Sequence, residues 1–129
     1  MSGNLLDTNA VLFALVAPER LSAAARRAIL KGPNVLSVVS YWEVLLKSMK
    51  GTLDVGDPRG WWKDALDELA AAPLLLRPEH IAAVYALPMH HKDPFDRVLI
   101  AQAKVEGLAL VTSDAAMTRY VSSAVKIVR

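Results

Sequence analysis

No cysteine occurs anywhere in the 129 residues. Disulfide staples and thiolate metal sites are therefore excluded. Charge of one sign is also scarce: 15 Lys and Arg stand against 13 Asp and Glu, a net +2. That balance gives no argument for nucleic-acid binding by bulk attraction. No apolar run approaches the ~18 residues of a membrane span. The N-terminus lacks the basic lead of a signal peptide, and Asp7 interrupts its short apolar stretch. Repeats, low-complexity tracts and linkers are absent from the sequence; "GTLDVGDPRG" (51–60) is the one long loop-like stretch. These absences predict a soluble, cytoplasmic protein without membrane contact.

What is present is apolar. Hydrophobic residues make up 53% of the chain. Such a composition is too apolar for disorder, and the length suffices for one core. A single domain over residues 1–129 is expected.

Periodicity and punctuation predict an alternating order. "NLL" (4–6) reads as a short buried strand, followed by an apolar helix from Thr8 to about Val16 that Pro18 stops. A helix over 22–32 runs from a Ser cap to a Gly stop, and "NVLSV" (34–38) is a β-branched strand. Helices are predicted over 40–51 and 60–73, a brief strand over 74–76, and helices over 78–87 and 93–107. Strands over 108–112 and 124–128 complete the pattern. Strands alternating with helices imply an α/β fold with a mainly parallel sheet. Its short, continuously apolar strands suit burial on both faces. Ligands of such sheets bind beyond the carboxyl ends of the strands.

Four acids fall at strand-to-helix junctions. Asp7 follows "NLL", Glu43 lies in the first turn after "NVLSV", Asp114 follows "LALVT", and Asp96 lies in the first turn of the helix that Asp93 begins. Each has a local structural reason. "SYWE" (40–43) and "DPFD" (93–96) have the form of capping boxes, and Asp7 and Asp114 suit helix caps. Yet capping needs no acid and does not collect acids at one sheet edge. Clustered carboxylates repel one another unless a cation is present. Mg²⁺ and Mn²⁺ prefer such hard oxygen ligands. Phosphodiester cleavage is the chemistry that most often uses them, because the ion activates water and neutralises the leaving oxygen.

Three blocks, "LLDTN" (5–9), "SVVSYWEVLLKSMKG" (37–51) and "HHKDPFDRVLIAQAKVEGLALVTSD" (90–114), resemble the VapC-type PIN-domain toxins, ribonucleases of toxin–antitoxin pairs. The similarity runs in order from Leu5 to Asp114; the stretch from Thr52 to Met89 matches only in length and general character. The resemblance implies a PIN-like three-layer α/β/α sandwich with a short, mainly parallel central sheet. It implies an Mg²⁺- or Mn²⁺-dependent endoribonuclease whose acids are Asp7, Glu43, Asp96 and Asp114, with Asp7 holding the metal most directly. The implied products are a 5′-phosphate and a 3′-hydroxyl. The implied partners are an RNA substrate, a cognate VapB-like antitoxin, and a second copy of the chain in a homodimer or toxin–antitoxin hetero-oligomer.

Other residues carry two readings each. Thr8 and Asn9 suit either a helix cap or the metal's surroundings, and Ser113 suits a cap or a phosphate contact. Asp93 suits a cap over a ligand. Arg97 suits an ion pair with Asp93 or a contact to phosphate. His90, His91 and His80 lack the spacing of a zinc site. Trp61 and Trp62 are adjacent, so they face different sides of a helix: one suits the core, the other a base, a partner or a half-exposed surface. Lys47, Lys50 and Lys92 suit phosphate contact or solvated surface. Three competing functions remain at this level: a PIN nuclease of RNA processing or DNA without an antitoxin, a receiver-like signalling module, and a non-catalytic module whose acids are all caps. A receiver would carry paired acids after the first strand, where "LLDTN" supplies one.

Overall fold

A computed structural model describes residues 2–89, 93–123 and 125–129. Among these, five strands form one parallel sheet: β1 (Asn4–Leu6), β2 (Asn34–Ser37), β3 (Ala71–Leu74), β4 (Ala109–Val111) and β5 (Ile127–Val128). Their spatial order is β3-β2-β1-β4-β5, every pair parallel. Six α-helices connect them: α1 (Thr8–Val16), α2 (Ala23–Lys31), α3 (Val38–Met49), α4 (Pro58–Glu68), α5 (Pro78–Tyr85) and α6 (Pro94–Glu106). A 3₁₀ helix spans Ala115–Ser123.

Alternation along each strand builds two cores. Leu5, Val35 and Leu110 pack on one face of the sheet with residues of α5 and α6. Leu6, Leu36 and Val111 pack on the other with residues of α1, α2 and α4. Successive strand side chains point to opposite faces, so β1 and β2, buried at every position, require helices on both sides. The result is the three-layer α/β/α arrangement expected from the sequence.

Two buried asparagines start the central strands. Asn4 Nδ2 donates to Ala28 O at 2.8 Å, and Asn34 Nδ2 donates to Ile29 O at 2.8 Å and Leu69 O at 3.1 Å. Asn34 thereby satisfies carbonyls at the ends of α2 and α4, and Asn4 adds a second donor to Ala28 O, which also accepts from Gly32 N–H. Gly3 precedes β1 with φ +114°, and a Cβ there would stand 2.3 Å from Pro33 O. Only glycine fits that approach.

Three boundaries differ from the sequence reading. α3 starts at Val38, capped by the Ser37 hydroxyl accepting from Val39 N–H at 3.0 Å. Ser40 is therefore inside the helix, the "SYWE" capping box does not form, and Glu43 lies in the second turn. α4 ends at Glu68 rather than residue 73, and the following strand is Ala71–Leu74 rather than 74–76. The break is made by Ala70 at φ +48°, a left-handed conformation usually marked by glycine, so the run of alanines gave no stop signal. Pro73 is tolerated because β3 is an edge strand. The last strand is confined to Ile127–Val128; Ala124 lies outside the described residues.

Ala70 holds a backbone conformation that costs an L-residue about 1–2 kcal/mol. Ala70→Gly should therefore stabilise the protein by roughly 1 kcal/mol, read as a higher denaturation midpoint in urea with an unchanged slope.

Candidate active site

The sheet order reverses at β1, with β2 and β3 to one side and β4 and β5 to the other. This is the topological switch point where open α/β sheets leave a crevice. Asp7 stands directly at it. Its backbone N–H donates to Val111 O at 3.0 Å, so the ends of β1 and β4 are joined there.

Asp7 is 4% exposed and caps α1, its Oδ1 accepting from Ala10 N–H at 2.8 Å. Burial pushes its pKa from 3.8 up to about 6. Hydrogen bonds from Thr112 and Ala10 oppose the shift, and the nearby charges of Asp114 and Glu43 add to it. Asp7 thus senses two further acids, one past the end of β4 and one on α3. Asp114 follows β4, its Oδ1 accepting from Ala116 N–H at 2.9 Å. Glu43 is 5% exposed on α3; Lys47 Nζ lies 2.9 Å from its Oε2, while its buried Oε1 has no hydrogen-bond partner.

Asp96 comes from another direction. It sits half-buried in the first turn of α6, and its N–H donates to Asp93 Oδ1 at 3.4 Å. The neighbouring Phe95 ring meets Trp42 edge-on, with centroids 5.0 Å apart. Trp42 directly precedes Glu43, so this aromatic pair presses the first turn of α6 against the helix that carries Glu43. Asp93 caps α6 through Phe95 N–H at 2.8 Å.

The secondary residues separate clearly. Thr8 is buried, and its hydroxyl donates to Ser40 Oγ at 3.0 Å, tying α1 to α3. Asn9 is exposed and Ser113 half-buried. Arg97 is buried, its guanidinium donating to Pro88 O at 2.9 Å and Val84 O at 3.2 Å, which braces the end of α5. His80 is fully buried; its Nδ1 accepts from Arg77 N–H at 3.0 Å and its Nε2 lies 2.7 Å from Glu106 Oε2. Trp61 belongs to the core, and Trp62 stacks on Tyr41 at 5.1 Å and 6°. Lys50 is exposed at the end of α3. His90, His91 and Lys92 lie outside the described residues.

Thr112 is the residue that the sequence reading did not single out as a site candidate. It is 1% exposed, accepts from Asp114 N–H at 3.0 Å, and hydrogen-bonds the Asp7 carboxylate. One hydroxyl therefore positions two of the acids. The spacing T-x-D after a strand, a local side-chain turn, was its visible signal.

A model of the PIN domain matches residues 5–122. The chain belongs to the PIN-domain family. No curated protein matches the sequence. Among solved structures, the fold is similar to a DNA-bound VapBC from Salmonella typhimurium at 15% identity and TM-score 0.70, covering 98% of this chain and 97% of that one. It is also similar to VapBC2 from Rickettsia felis at 13% and 0.68, covering 98% and 97%. A third is FitAcB from Neisseria gonorrhoeae at 22% and 0.64, covering 98% and 96%. PIN domains are generally nucleases, and the site sits where this PIN fold has its crevice.

The donor set suits a hard divalent cation. All the ligand atoms on offer are carboxylate or hydroxyl oxygens, one buried carboxylate oxygen is unpartnered, and the acids repel one another. Among the described residues no three His, Asp or Glu side chains close into a ready-made cage. Mg²⁺ and Mn²⁺ keep several waters and use one or two carboxylates directly.

The raised Asp7 pKa makes the site a stability cost. The native state holds the Asp7 proton up to about pH 6, while the unfolded chain releases it near 3.8. Stability present below pH 3.8 is lost as pH rises through 6, by at most about 3 kcal/mol. Asn keeps the helix cap without the charge. In chelator, Asp7→Asn should be more stable than the unmodified chain at pH 7 and equal to it near pH 4, as measured by urea denaturation at both pH values.

Proposed function

We propose that residues 1–129 form a single PIN domain that acts as an Mg²⁺- or Mn²⁺-dependent endoribonuclease, the toxin of a toxin–antitoxin pair. Asp7, Glu43, Asp96 and Asp114 are its acids. Family membership supports the nuclease reading; the observation that carries the metal reading is Glu43. The other three acids have capping or first-turn reasons to stand at helix starts. Glu43 has none, since it lies in the second turn of α3, buried and within electrostatic reach of Asp7. A non-catalytic module would have no use for an unpartnered buried carboxylate oxygen.

A divalent ion, when bound, supplies Lewis acidity toward water and phosphate oxygens. The chain's own residues do the rest. Asp7 and Asp114 would hold the ion from the switch point of the sheet, with Thr112 bonding the Asp7 carboxylate and accepting the Asp114 backbone N–H. Glu43 completes the negative field from α3. Asp96, at the start of α6, would orient water or the ion. Attack of water on an RNA phosphodiester would leave a 5′-phosphate and a 3′-hydroxyl.

A further structure of similar fold, from Klebsiella pneumoniae, is a toxin–antitoxin complex. We extend that partnership to this chain, with a VapB-like antitoxin as partner in a hetero-oligomer and a second copy in a homodimer. A groove of about 710 Å³ between α1 and α4 supports it, lined by Leu12, Phe13, Trp61 and Asn9 and edged by Arg20 and Asp64. It starts one turn from Asp7 and offers an apolar floor with a charged rim to a peptide segment.

The purified chain, free of any partner, should cut RNA in Mn²⁺ or Mg²⁺ and lose that activity in EDTA. Asp7→Asn and Asp114→Asn should each lower the rate by at least about 100-fold, measured on structured and single-stranded RNA. Cleavage that persists in EDTA or in both variants would refute the metal reading, and absence of both Mn²⁺ binding and cleavage would return all four acids to structural roles.

A further inference from the structure

Lys47 lies on α3 one turn beyond Glu43 and reaches back to it. Its Nζ stands 2.9 Å from Glu43 Oε2. Most such i,i+4 pairs are two solvated surface charges. This one is not, since the lysine side chain is 42% exposed and the glutamate side chain only 7%. The amine comes in from the solvent edge and takes one oxygen of a buried carboxylate. The other oxygen, Oε1, is buried without a hydrogen-bond partner.

A carboxylate with both oxygens free can rotate and present either. With Oε2 held by an ammonium, only Oε1 remains to meet an ion or an ordered water. Partners that hold a ligating carboxylate by its far oxygen fix its orientation, and their loss typically weakens metal binding 10- to 100-fold. Tyr41 and Trp42 pack on either side of this turn, against Trp62 and Phe95. The backbone is therefore steady, and the freedom that Lys47 removes is that of the Glu43 side chain.

We propose that Lys47 is a positioning residue, which holds Glu43 Oε2 so that Oε1 alone serves the acidic centre. This assignment rests on the metal-dependent reading above. It also removes Lys47 from the residues available to phosphate.

The test is a calorimetric Mn²⁺ titration of the full chain, K47M, K47Q, K47R, E43Q and the double variant E43Q/K47M, with thermal melting as the check on folding. K47M and K47Q should each bind Mn²⁺ about tenfold more weakly, and K47R, which keeps a charged donor, should recover most of the loss. In the E43Q background, K47M should change nothing further, because a residue that acts through Glu43 has no effect once that carboxylate is gone. A merely stabilising lysine would lower the melting temperature without that non-additivity. Binding unchanged or tighter in K47M, or additive losses in the double variant, would overturn the assignment and leave the metal reading standing. No Mn²⁺ binding by the unmodified chain would bring down both.

Discussion

A carboxylate taken out of water at the end of the central strand is the constraint around which the rest of the molecule is arranged. Asp7 is buried, and Asp114 and Glu43 add repulsion to the desolvation cost. Such a group persists only if the surroundings overdetermine its place. Here they do. The Asp7 backbone is bonded to the end of β4, its carboxylate caps α1, and Thr112 holds it from the neighbouring strand end. The short parallel strands, buried on both faces, supply the stability against which this local cost is set. A protein selected for stability alone would place Asn or Ser at that cap.

The second requirement is that α3 be held still, because it carries the acid without a capping reason. Four independent contacts hold it. Thr8 bonds Ser40 from α1, Trp62 stacks on Tyr41 from α4, and Phe95 meets Trp42 from α6. Ser37, which caps α3, also hydrogen-bonds Gln102 of α6, beside the buried His80 and Glu106. Burial of Glu43 is a consequence of this clamping. The helix cannot roll to bring that carboxylate to solvent without breaking contacts to α1, α4 and α6.

Much of this was legible in the sequence, for identifiable reasons. An apolar run followed at once by an acid marks a strand end, so Asp7 and Asp114 could be placed at the sheet edge from spacing alone. Glu43 could not be read in the same way. Ser37 and Ser40 both follow apolar residues, Leu36 and Val39, and each satisfies the pattern of a cap. The choice between them is made by strand pairing, which carries β2 through Ser37, and by Thr8, 32 residues away, which takes the Ser40 hydroxyl. The capping-box reading therefore gave Glu43 a local explanation that the fold removes. The end of α4 was illegible because an alanine does the work of a glycine at φ +48°. The role of Thr112 depends on two partners, Asp114 two positions later and Asp7, 105 positions earlier, and the second is invisible to local spacing. Asp96 was placed in the first turn of its helix correctly, but its delivery toward α3 depends on Trp42 and Phe95, which sequence spacing cannot bring together.

The same electrostatics link the metal to the substrate. The chain as a whole is nearly neutral, at +2, so it offers RNA no strong general attraction. Its acidic centre would repel a phosphodiester, and two of the described cations are already engaged: Lys47 bonds Glu43, itself one of the acids, and the Arg97 guanidinium donates to backbone carbonyls. An acidic pocket and a polyanionic substrate are compatible only if a cation sits between them. On the proposed reading, then, the ion is required first to let the scissile phosphate approach and only second to assist the reaction. That reading accounts for acids, rather than the lysines and arginines that usually meet nucleic acid, at the switch point of this sheet.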